Sequence, residues 1–178
     1  MWAKVEDSTI TGLIPRPKAM TIGDTQYPHN IFGLWSTSEL EAIGIYEVTI
    51  DYTNLKDIKY YSNTYITYAY ASGAVTGTYG TATAKDLPTL KIQHKQKVNN
   101  QAYTRLQDSD WLVVRAAEGG TAVPGAWATY RAAVRTKANS METQIDGAAN
   151  VDALAALYVY NSADPATRPL GEWPSKPE

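Results

Sequence analysis

Cysteine is absent from the 178-residue sequence. Disulfide frameworks, thiolate zinc sites, iron–sulfur clusters and cysteine nucleophiles are excluded together. Histidine occurs twice, as His29 and His94. An imidazole-based metal centre would therefore need carboxylates to complete it, and nothing of the HExxH type is present. Neither sign of charge is in surplus, with 16 Lys and Arg against 18 Asp and Glu. Without a basic excess to neutralise phosphates, no nucleic-acid partner is expected. No run of about 18 apolar residues exists, so membrane insertion is not expected. The opening MWAKVEDSTITG is charged by position 4 and has no apolar segment of the kind a secretion signal needs, which points to synthesis in a cytoplasm. Phenylalanine is nearly missing, one residue against 13 Tyr. Tyr suits sheet positions where the ring packs and the hydroxyl meets water or a partner.

What is present fits an α+β chain. Apolar residues make up 44%, enough for a packed core in one domain, or in a small domain with a helical appendage. WAKV and STITGLI alternate as a hairpin turned by Glu6 and Asp7. Pro15 and Pro17 end that pairing, and IGDTQYPHNIFGLW reads as irregular. Ser36 and Glu39 form a capping box for a short helix over 37–43, stopped by Gly44. IYEVTIDY is a strand, and the Tyr-rich stretch 58–82 a hairpin turned at Ser72-Gly73. Gly77 and Gly80 weaken its second strand and admit bulges or close backbone contact. Asp86 and Pro88 start a helix whose apolar positions are Leu90, Val98, Ala102 and Leu106, with His94 read as a solvated residue among lysines.

The rest is organised around Asp108–Ile145, read as two helices joined by Gly119-Gly120. Asp108, three residues before Trp111, is placed to cap the first. Asp108 and Asp110 could in principle form an acid–base pair, but no cleft that would separate their pKa values is evident, and capping is the better account. In the second helix Val123, Trp127, Tyr130, Val134, Ala138, Met141 and Ile145 recur at gaps of three and four, one apolar stripe. Its expected partner is the chain's own 88–118 segment, with self-association about a symmetry axis as the alternative. Arg131 and Arg135 fall mostly off the stripe, so a solvated face is their default. Asn150 caps a last short helix. The end, NSADPATRPLGEWPSKPE, holds four of the nine prolines and cannot be regular. Trp173 there either tucks onto the body or docks on a neighbouring subunit.

These readings give a fold with an N-terminal small antiparallel β-sheet module carrying one short helix, a C-terminal helical hairpin and an extended Pro-rich tail. The boundaries are a Tyr-rich β module at 1–84, a helical segment at 85–160 and the tail at 161–178. No catalytic residues, cofactor or metal ligands are expected. The Tyr-rich hairpin could stack sugar rings, but a thin sheet covered by wide side chains explains it as well.

The stretch DSDWLVVRAAEGGTAVPGAWATYRAAVR resembles the carboxy-terminal segment of bacteriophage tail-fibre assembly chaperones and related tail proteins. In those proteins a DW pair precedes a charged stretch, a proline-started helix and a YR core followed by an apolar residue and Arg. Asp110, Trp111, Arg115, Glu118, Pro124, Trp127, Tyr130, Arg131, Val134 and Arg135 carry the resemblance. More loosely, IPRPKAMTIGDTQYPHNIFGLWSTSELEAIGIYEV resembles the small β modules that precede it. The resemblance implies a non-enzymatic protein of the phage tail, a fibre chaperone or a fibre-bound virion subunit, made in the host cytoplasm. It implies a tail fibre or other tail protein as partner, with a homo-oligomer, such as a trimer, as an option. A structural tail or baseplate component with a receptor- or glycan-binding Tyr-rich module is the alternative. The expected interface residues are Trp111, Arg115, Trp127, Tyr130, Arg131, Val134, Arg135, Met141 and Trp173.

Overall fold

A computed structural model describes all 178 residues. The chain is mixed α+β and divides into two compact units, Met1–Thr83 and Ala84–Glu178. No helix is long and apolar enough to cross a membrane.

In the first unit β1 (Trp2–Glu6) and β2 (Thr9–Ile14) pair antiparallel. Asp7 and Ser8, one residue later than the expected Glu6 and Asp7, turn the chain at φ of 48° and 63°, the left-handed pair that matches the twist of a two-residue hairpin. The segment read as irregular contains a small hairpin, β3 (Met20–Ile22) with β4 (Thr25–Tyr27), and one turn of helix, α1 (Ile31–Leu34). Gly23, at φ 58°, closes that hairpin, so the turn residues mark a tight reversal instead of a long loop. α2 (Thr37–Ala42) has the expected capping box: the Ser36 hydroxyl accepts from the Glu39 amide and the Glu39 carboxylate accepts from the Ser36 amide. The unit therefore has two short helices, where one was expected.

Gly44 leaves α2 at φ 80°, where an added Cβ would come within 2.6 Å of the Val5 carbonyl oxygen. Only glycine permits the Val5 amide to donate to the Gly44 carbonyl at 2.8 Å. β5 (Ile45–Asp51) then pairs antiparallel with β1. After β6 (Tyr61–Ser62) come β7 (Ile66–Ala71) and β8 (Ala74–Tyr79), turned by Ser72 and Gly73 at φ 51° and 79°. The short β9 (Thr83–Ala84) pairs with β6. The main sheet has the order β2-β1-β5-β8-β7 and is not wholly antiparallel, since β8 lies parallel to β5. The connection after β5 carries β7 outward to the edge and brings β8 back between them. The sheet curls until its edge strands β2 and β7 approach each other. Alternation sorts the side chains: Ala3, Val5, Val48 and Val75, with Tyr46, Tyr68 and Tyr70, fill one face, while Trp2, Ile14 and Ile45 join Ile31, Phe32 and Leu40 on the other.

The second unit is helical. α3 (Leu87–Gln107) starts at Asp86, whose carboxylate accepts from the Thr89 amide at 2.8 Å. α4 (Asp110–Ala117) follows after two residues, then α5 (Gly125–Gly147) and α6 (Val151–Ala156), the last capped by Asn150. α3 and α5 run antiparallel, as shown by Lys91 and Lys95 reaching Asp146 and by Asn99 donating to Glu142 at 2.6 Å. Tyr130, Val134, Ala138, Met141 and Ile145 of the expected stripe are buried. The main packing partner of α5 is α3, with α4 touching it through Asp110. His94 is also a correction: it is buried, lies between Leu90 and Val98 on the inward face of α3, and stacks 4.7 Å from Tyr158. After Ala156 no helix or strand forms.

Candidate interaction surface of the helical unit

The motif residues resolve into three pairs. Arg131, read from sequence as solvated, is 7% exposed. Its guanidinium donates to the Leu106 carbonyl at 2.8 Å, to the Ser109 hydroxyl at 2.7 Å and to the Asp110 carboxylate at 2.8 Å. Leu106 lies in the last turn of α3 and Asp110 in the first turn of α4. One cation thus answers the negative end of one helix while holding the acid that favours the positive end of the next. Ser109 is fully buried and itself donates to Leu106. The aspartate and arginine of the DW and YR pairs are therefore a structural clamp that fastens the α3–α4 junction to α5. Asp108 does not cap α4 as expected. It ends α3, and its carboxylate accepts from Lys176 at 2.8 Å. Both acids of the suspected acid–base pair are thus engaged by cations.

The second pair is on the surface. Trp111 is 58% exposed, and the Arg115 guanidinium lies 4.8 Å over its ring, a cation–π contact at the surface. Arg115 is held in turn by the Thr121 carbonyl at 3.3 Å. The glycines make that turn possible: Gly119 has φ 84°, and a Cβ on Gly120 would lie 2.9 Å from the Arg115 carbonyl oxygen. Val113 and Val114 beside Trp111 are also exposed, whereas Leu112 faces inward. In the third pair Trp127 meets Tyr130 edge to face at 5.9 Å.

The sequence-predicted interface residues therefore part company. Tyr130, Val134 and Met141 are buried within the unit, Arg131 is the clamp, and Arg135 is exposed. Trp111 and Arg115 stand on the outer face, and Trp127 is half-buried. Trp173 tucks back onto its own unit. Its indole N–H donates to Gln101 at 3.1 Å, and the Arg105 guanidinium lies 4.7 Å from its ring. Two residues that sequence reasoning missed, Gln101 and Arg105, complete this contact; nothing local to α3 marks them. Between the outer face of α5 (Thr129, Ala133, Thr136) and the tail at Trp173-Pro174 runs an open groove of about 620 Å³.

The Tyr-rich module uses several of its rings internally. The Tyr70 and Tyr46 hydroxyls share a hydrogen bond of 3.1 Å with the rings edge to face, and both pack on the sheet interior with Tyr68. That hydrogen bond, then burial, holds the Tyr46 hydroxyl pKa above its ordinary value. Tyr65, by contrast, is 95% exposed. No group of three or more His, Asp and Glu side chains with metal-binding geometry occurs.

No protein-family model matches the chain, and neither the curated proteins nor the solved structures provide a match.

Proposed function

We propose that the chain is a non-enzymatic protein of a tailed-phage tail that associates with the tail fibre, as an assembly chaperone or as a fibre-bound subunit of the virion. The resemblance of the Asp110–Arg135 stretch supplies the partner. The observation that carries the mode of action is Trp111, a large exposed ring with the Arg115 guanidinium over it on α4. Interfaces concentrate their binding energy on such anchors, Trp and Arg above all, surrounded by apolar residues that exclude water. Val113 and Val114 supply that surround. The clamp at Arg131 supports this surface by fastening the α3–α4 junction to α5.

The geometry also selects the variant that tests the reading. Tyr130→Ala would damage the core and report folding, whereas Trp111→Ala leaves the interior intact. Tagged chain co-expressed with its fibre protein is expected to co-purify with it. Trp111→Ala is expected to weaken that association at least tenfold, the scale of about 1.4 kcal/mol or more that a central anchor carries. Undiminished fibre association of a folded Trp111→Ala protein would remove the surface from the argument. Normal fibre yield in cells lacking the chain would remove the chaperone role. Fixed copy number in gradient-purified particles would identify the fibre-bound subunit.

A further inference from the structure

Beyond Gly171 the chain is fastened by side chains alone. The last backbone–backbone hydrogen bonds are those of Leu170, which donates to Leu157 at 3.0 Å, and of Gly171, which donates to Arg168 at 2.8 Å. Up to that point the tail is firmly seated. The Asn161 side-chain oxygen accepts from the Ala163 and Thr167 amides, and Leu170 is 2% exposed. Gly171 then adopts φ 77°, a conformation open to glycine at no steric cost, and so provides a pivot. Past the pivot, Trp173 is gripped by Gln101 and Arg105, and Lys176 pairs with Asp108 while its ammonium lies 5.6 Å over the Trp127 ring. Asp108 and Lys176 are both about half exposed. The tail thus presents a short peptide with a definite recognition pattern: an aromatic ring with one N–H donor, a proline, and a cation three residues after the ring. The helical surface presents its complement, a guanidinium plane, an amide oxygen, a carboxylate and an indole face.

We propose that Gln101, Arg105, Asp108 and Trp127 form a binding site for an extended Trp-Pro-x-Lys peptide, filled within one copy by residues 172–178 and open to the same segment of a second copy. Exchange of this segment links copies tail to surface, a head-to-tail contact. Trp173 and Lys176 lie two and five residues past Gly171, a reach of about 7 Å and about 17 Å in extended chain, so exchange requires the second copy's surface to lie directly against the pivot. The tether gives the chain's own tail a millimolar-scale advantage in effective concentration, so exchange dominates only where the internal contact is broken.

Complementation of two full-length variants tests this. Trp173→Ala keeps the surface and loses the tail's anchor. Arg105→Ala combined with Asp108→Lys keeps the tail and loses the surface. Each alone is expected to scatter light as a single chain, and an equimolar mixture as a 1:1 complex of two chains. A synthetic peptide of residues 171–178, GEWPSKPE, labelled at its amino end, is expected to bind the Trp173→Ala protein at least tenfold more tightly than wild type, where the resident tail competes. A mixture that stays at single-chain mass overturns the exchange, whether or not the peptide binds. Equal peptide binding by variant and wild type overturns the site. Where the Arg105 variant loses its helical circular dichroism, the charge-reversed proteins Asp108→Lys and Lys176→Asp replace it. Their pairing in mixture but not alone supports the proposal, and its absence overturns it.

Discussion

The two units are stabilised at different ranges along the chain. In the β unit the long-range links are backbone strand pairings, and the devices that carry the turns and caps join near neighbours: the two-residue turns at Asp7-Ser8 and Ser72-Gly73, and the capping box from Ser36 to Glu39. In the helical unit they join residues far apart. Arg131 reaches back 25 positions to Leu106, and Trp173 and Lys176 reach 72 and 68 positions to Gln101 and Asp108. A local device fails locally, whereas removing a long-range clamp leaves several groups stranded at once. The units should therefore respond differently to single substitutions.

The largest difference is expected at Arg131. Truncation to Ala takes the cationic donor from buried Ser109 and from the half-buried Leu106 carbonyl, which keeps the Ser109 amide and hydroxyl, and frees Asp110 from its partner. Breaking a charge pair with one buried member costs about 3 kcal/mol, less than for a fully dry pair because Asp110 remains half exposed. Arg115→Ala removes a surface stacking and should cost about 1 kcal/mol or less. Urea titration of the two variants, with hydrogen exchange to localise the loss to α3–α5, checks both numbers. Equal destabilisation by the two would show that the clamp is only another surface contact.

In the β unit a strong single-site response is expected at Gly77. This residue sits in β8 opposite Ile50 of β5 and Tyr68 of β7. A Cβ there would lie 2.8 Å from Ile50 Cδ1 and from the Tyr68 ring carbon Cε1. Gly77→Val should cost about 2 kcal/mol through overpacking, despite valine's preference for strands. Denaturant unfolding and amide exchange in β7 and β8 measure it. A neutral or stabilising result would mean that the curled sheet relaxes more readily than its packing indicates.

The same contrast of range decides what could be read from the sequence. Caps, hairpin turns and the α5 stripe are written within four or five residues of one another, and Ser36, Glu39, Asp86, Asn150 and Met141 were legible for that reason. The small β3–β4 hairpin was missed because its strands are only three residues each, too short for alternation to show. The parallel β5–β8 pair depends on which strand fills the middle of the sheet, a choice made by tertiary packing. His94 was misread from its lysine neighbours, although Leu90, His94 and Val98 follow at steps of four, the spacing of one helix face. In the candidate surface, Trp111 and Trp127 were legible as residue types in a recognisable order. The roles of Arg131 and Trp173 were not, because their partners Ser109, Gln101 and Arg105 are brought near only by the fold.

The smallest effect concerns the one local device that starts the helical unit. The Thr89 hydroxyl, and then its amide, hold the Asp86 carboxyl below its ordinary pKa of 3.8. A carboxylate depressed in the folded state contributes stability that is fully present above the unfolded pKa and is lost as pH falls through the folded one. The α3 cap should therefore be intact at neutral pH and weaken only below pH 3.8. Asp86→Asn keeps an acceptor for the Thr89 amide but cannot titrate. Its melting temperature should lie slightly below wild type at pH 7, and the gap should close as the pH is lowered to 2. In the β unit Glu39 is lowered in the same way by the Ser36 amide and hydroxyl, so Glu39→Gln should show the same closing gap with its losses confined to α2. Amide exchange at Thr89 and Glu39 separates the two sites. A gap at Asp86 that widens in acid would show that the carboxylate does not stabilise this end of α3.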